Sequence, residues 1–185
     1  DLVFTVDIGR LTDLYEAKLT QPIKSESVDA NIPARYHGPD GHYLGLTARA
    51  RVIVASKERA GDVSRIDYED LARPEFKGRI CTRSGKHAYM VALTASMIAH
   101  HGEAQARQWL QGVKDNLARS PQGNDRAQVK AIKEGVCDVA VINNYYVAKM
   151  YQNEEQVAWA EAVNVLFPNQ SNRGTHLNVS GVALT

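Results

Sequence analysis

The run "RAQVKAIKEGVCDVAVI", Arg126 to Ile142, constrains the fold most, because a helix-like segment stops at Gly135 and passes directly into an apolar strand. The same alternation recurs upstream. "GLTARARVIVAS" reads as one long strand, and "DYEDLARPEF" as a helical turn capped by Asp67 or Ser64 and ended by Pro74. Strand "GRICT" and polar loop "RSGKH" follow, then a helix from about Ala88 to His101 closed by Gly102. "EAQARQWLQGVKDNL" predicts a second helix with an apolar stripe through Ala106, Leu110, Val113 and Leu117. The loop "SPQGND" supplies an N-cap at Asn124 or Asp125. Such repeated alternation predicts an α/β fold with a parallel or mixed sheet flanked by helices.

The two ends read differently. "DLVFTVDIGRL" opens abruptly on what looks like a buried strand, and "HLNVSGVALT" stops inside or just after another. The expectation is therefore a central piece of a longer polypeptide, without its N- and C-terminal parts. No apolar run approaches the roughly 20 residues of a membrane helix, and no signal-peptide pattern opens the chain. With 22 Lys+Arg against 21 Asp+Glu, no global field favours nucleic acid or an anionic membrane. Cys81 and Cys137 each adjoin an apolar strand, so a disulfide in an oxidising compartment and two buried thiols in a reducing one both fit.

Ligands of open α/β sheets bind beyond the carboxyl ends of the strands. Tyr145 and Tyr146 follow "VCDVAVI" after Asn143 and Asn144, while Tyr89 follows "GRICT" across a short loop. If both strands share a sheet, all three phenols reach one edge. Successive helical residues point about 100° apart, so Tyr145 and Tyr146 share a target only where a helix is starting. A single tyrosine is usually a packing residue with a bonded hydroxyl. A pair at a strand end with a third nearby also fits a nucleophile, or phenolate ligands for a hard cation such as ferric iron.

In "LTARARVIV", strand alternation puts Thr47, Arg49 and Arg51 on one face. Two guanidiniums so placed call for a carboxylate or a bound planar oxyanion. The histidines say less. His100 and His101 end a helix and suit its dipole, while His37, His42 and His87 fall in loops and His176 on a strand approach. Of these, His87 lies nearest Tyr89. No Gly-rich phosphate loop, G-x-S-x-G element or zinc-type cysteine quartet occurs.

Taken together, "VDIGRL", "DGHYLGLTARARVIV", "YEDLARPEFKGRICTRSGKHAYMVALTASMIAHHG", "GVCDVAVINNYYVAKM" and "FPNQSNRGTHLNVSGVALT" resemble the bacterial periplasmic ferric iron-binding proteins, the transferrin-like receptors of iron ABC transporters. The combination of "NYY", "RICTRSG" with its following tyrosine, and "LTARAR" is the specific part. The resemblance implies a two-lobe, type II periplasmic-binding-protein-like fold with mixed sheets, helices on their flanks and the ligand in the interlobe cleft. It implies part of a first lobe and a hinge strand over 1–51, the second lobe over 52–163, and a return hinge strand with more of the first lobe over 164–185. It further implies Fe³⁺ ligands at Tyr89, Tyr145 and Tyr146, and a synergistic anion such as carbonate on Arg49 or Arg51, with Arg49 favoured by position. Family members usually add a tyrosine or histidine ligand near the start of the mature chain, a region this sequence lacks. The periplasmic setting turns the cysteine question toward a Cys81–Cys137 bridge.

The expected activity is then binding without catalysis: a monomer that carries ferric iron to an inner-membrane ABC permease, neither spanning the membrane nor binding nucleic acid. A periplasmic receptor for an oxyanion or small organic ligand is the alternative, and a tyrosine-nucleophile nuclease the remote one. The latter needs a divalent-metal cluster and a basic surface.

Overall fold

In the computed structural model, which describes residues 1–185, the chain divides into two compact units, Asp1–Arg49 with Leu177–Thr185, and Ala50–His176.

In the smaller unit, β1 (Leu2–Thr5) pairs antiparallel with β6 (Leu177–Leu184), Leu2 opposite Leu184. Asp7 caps α1 (Ile8–Glu16) by accepting from the Gly9 N–H, and Leu11 of this helix is buried with Tyr43 and Ala183. A short α2 (Glu26–Asn31) follows. A Cβ on Gly181 would meet the Leu44 carbonyl oxygen at 2.1 Å, so only glycine permits this approach. The opening strand is not the buried one expected from its composition. Only alternate β1 residues turn inward, and Phe4, on the other face, is 67% exposed.

β2 (Tyr43–Ser56) is the single long strand predicted, and it continues into the larger unit. There it lies between β5 (Val163–Leu166) and β4 (Val139–Asn143), antiparallel to both, and β3 (Ile80–Cys81) pairs parallel with β4. This is the mixed sheet that the alternation called for. Strand periodicity sends Ile53, Ala55, Val139 and Val141 to one face, against α3 (Ala88–Asp115) and the turns around Tyr68, Leu71 and Phe76. Val52, Val54, Ala140 and Ile142 go to the other face, against α4 (Asp125–Lys133), α5 (Tyr145–Tyr151) and α6 (Val157–Glu161). Burial of each valine or isoleucine among these stabilises the fold by about 1.5–3 kcal/mol.

α3 contains both predicted helices, divided at Gly102 (φ 79°, ψ 163°). Its second half buries Ala106, Trp109 and Val113, whereas Leu110, expected in the stripe, is 38% exposed. The indole explains the rotation: Trp109 Nε1 donates to the Tyr68 carbonyl at 2.7 Å, drawing the larger side chain inward. Asn124, not Asp125, caps α4, accepting from the Ala127 N–H. Pro74 closes one 3-10 turn, Glu69–Ala72, and opens the next, Pro74–Phe76. Cys81 and Cys137 are joined (Cα–Cα 5.9 Å), linking the end of β3 to the approach of β4 inside the second core. No helix is long and apolar enough to cross a membrane.

Candidate functional site

β3 and β4 run parallel, so their carboxyl ends open on the same side of the sheet. The chain leaves β3 through Thr82 and Arg83 into α3, whose N-cap is His87, so Tyr89 falls in the first turn. It leaves β4 through Asn143 and Asn144 into α5, whose first two residues are Tyr145 and Tyr146. The three phenols meet there. The side chains of Tyr146, Tyr89 and Asn143 all lie close enough to the Tyr145 hydroxyl to shift its titration, and the rings of Tyr145 and Tyr146 lie 4.3 Å apart at 32°. All three side chains are half-buried. Burial, followed by the proximity of Tyr146, pushes the Tyr145 hydroxyl above its ordinary value, while Tyr89 and Asn143 pull the other way.

The two asparagines explain how adjacent phenols are held at a strand end. Asn144 exchanges two 3.0 Å bonds with Ala50, through its Oδ1 to the Ala50 N–H and through its own N–H to the Ala50 carbonyl. Asn143 donates its N–H to Asp125 Oδ2 at 2.7 Å and accepts from Arg51 Nη1 at 3.1 Å. The helix start that carries both tyrosines is thereby fixed to β2.

Behind the phenols lies an ion cluster built around a fully buried carboxylate. Asp125, 0% exposed, receives Arg51 Nη1 at 2.6 Å and Arg83 Nη1 at 3.0 Å. Burial lowers the Arg51 pKa, against the opposing pull of Asp125. The guanidinium carbons of Arg83 and Arg51 stand 5.0 and 5.6 Å from the centre of the Tyr89 ring. Arg126 faces Tyr146 at 5.1 Å and Lys149 faces Tyr145 at 5.4 Å. Every phenol ring thus has a cation beside it.

Of the two arginines picked out on β2, Arg51 has its carboxylate in Asp125. Arg49 belongs to the smaller unit, where its Nη1 donates to Ser180 Oγ at 2.5 Å. His87 packs edge-on against Tyr89, ring centres 4.6 Å apart, and caps α3. His101 bonds Glu69 at 2.6 Å, and His37 and His42 serve local bonds to Ile32 and Thr20. No group of three His, Cys, Asp or Glu side chains that could hold a metal occurs. Sequence reasoning missed Asp125 and Arg83. The unmet requirement for a carboxylate beside Arg49 and Arg51 was the available signal, and the "ND" pair before α4 offered one residue more than the cap needs.

An α/β unit that gathers side chains beyond parallel strand ends has the form of a ligand-binding module, and residues 1–174 match the bacterial extracellular solute-binding protein family. The chain belongs to that family. Among its relatives is iron uptake protein A1 of Synechocystis, 42% identical over 186 residues, which cover 100% of this chain and 52% of that protein. The structure of apo ferric ion-binding protein A from Pasteurella haemolytica superposes with a TM-score of 0.94 at 50% identity, over 99% of this chain and 58% of that one. A Trichodesmium protein solved in complex with iron and citrate gives 0.92 at 41% identity, over 99% and 58%. The chain spans about half the length of the curated relatives it matches. The α/β class expected from the sequence is the one these structures share.

Proposed function

We propose that the protein binds ferric iron and delivers it to an inner-membrane ABC permease, with Tyr89, Tyr145 and Tyr146 as phenolate ligands. The observation that carries this reading is the convergence of three phenols from two chain segments, with Tyr89 and Tyr146 both close enough to the Tyr145 hydroxyl to shift its titration. Ferric iron is hard and highly charged, which is what displaces a phenol proton at neutral pH, and phenolate oxygen is the ligand it prefers. Three phenolates balance the ferric charge, so the ion itself brings no uncompensated charge into a half-buried site. The names of the relatives above, iron uptake and ferric ion-binding proteins, are consistent with this cargo.

A synergistic oxyanion, carbonate in the simplest case, completes the metal's shell, with Arg49 as its contact. The two units correspond to parts of two lobes, with β2 carrying the chain across and segment 164–185 returning it. The protein acts as a periplasmic monomer and has no catalytic step. Competition dialysis against a ferric chelator tests the ligand set. Tyr89→Phe, Tyr145→Phe and Tyr146→Phe should each weaken ferric binding by at least about 100-fold, beyond the roughly 10–100-fold typical of a supporting residue. Wild-type affinity in any one variant removes that tyrosine.

A further inference from the structure

We infer that Asp125 is a positioning residue that sets the spacing between Tyr89 and the Tyr145–Tyr146 pair; the inference rests on the phenolate reading above. The tyrosines arrive on separate segments, and a metal site tolerates only about 0.5 Å of error between its ligands. The β3–β4 ladder does not supply that precision, because its last pair is Cys81 with Ala140, short of both tyrosines. Beyond that point the two segments diverge into different helices.

Asp125 spans this gap. Its Oδ2 accepts the Asn143 N–H at 2.7 Å, two residues before Tyr145, and Arg51 Nη1 at 2.6 Å. Its Oδ1 accepts Arg83 Nη1 at 3.0 Å, and both arginines face the Tyr89 ring. One carboxylate is therefore bonded to the segment that carries Tyr145 and to both groups that flank Tyr89. The helix does not require it for capping, since Asn124 fills that role. A carboxylate buried with two guanidiniums also has little freedom to yield, so the distances it sets are stiff.

Crystal structures and ferric titrations of Asp125→Asn and Arg83→Gln test this. Asp125→Asn keeps the shape and removes the charge. Arg83→Gln leaves the Arg51–Asp125 pair intact and decides the matter should Asp125→Asn not fold. We expect the Tyr89-to-Tyr145 hydroxyl separation to change by about 1 Å, twice the tolerance of a preorganised site. Ferric affinity should fall roughly 10–100-fold with a displaced phenolate-to-iron absorption band. Tyrosines that superimpose on the wild type overturn the inference, whatever the affinity does. A colourless wild-type protein would sink the phenolate reading alone, and the tyrosine positions in the variants would still decide the role of Asp125.

Discussion

A phenol titrates near pH 10, and burial raises the Tyr145 hydroxyl further, so the proposed ligation at neutral pH requires a strong Lewis acid to displace the phenol protons. Under the proposed function Arg49 has the separate task of meeting the anion. Arg49→Ala should therefore shrink the ratio of ferric affinities measured with and without bicarbonate. An unchanged ratio would take Arg49 out of the anion's shell. The tyrosines were legible because a doubled phenol at a strand end is a local pattern. Asp125 was not, because its partners Arg51, Arg83 and Asn143 are brought together only by the fold.

Elements were legible where a local conformation decides them. Gly102 marks the break in α3 and Gly135 the end of α4, both at positive φ. The backbone of Gly102 at φ 79° and ψ 163° is open essentially to glycine alone, so Gly102→Ala should cost about 1–3 kcal/mol in urea unfolding. No atom lies within 4 Å of the added methyl, so the loss would report backbone strain and not a clash. An unchanged midpoint would mean that the two half-helices reorient freely. The inward rotation of Trp109 at the expense of Leu110 was not legible, because it depends on the Tyr68 carbonyl 41 positions away. The exposed face of β1 was hidden for a related reason: composition gives apolarity, not what covers it.

Across the larger unit, Glu69 joins regions far apart in sequence. It bonds His101 beside the α3 break, and Asn169 and Arg173 in the segment before β6. Burial alone would raise its carboxyl, but the bonds from Asn169, its own backbone, Arg173 and His101 outweigh this and hold it at about 2. A carboxyl lowered from 4.5 contributes stability that is fully present above pH 4.5 and lost as pH falls toward about 2. The thermal midpoint should drop across that window, and Glu69→Gln should flatten the drop; an equal slope in both proteins would place the acid sensitivity elsewhere. The central claim is met most directly by a visible absorption titration with chelated ferric iron, with and without bicarbonate, of the wild type and of the Tyr145→Phe/Tyr146→Phe double variant. A saturable phenolate-to-iron band in the wild type that vanishes in the variant is the predicted result. Either no band in the wild type or an undiminished band in the variant would contradict it, the first moving the weight to an oxyanion or organic ligand.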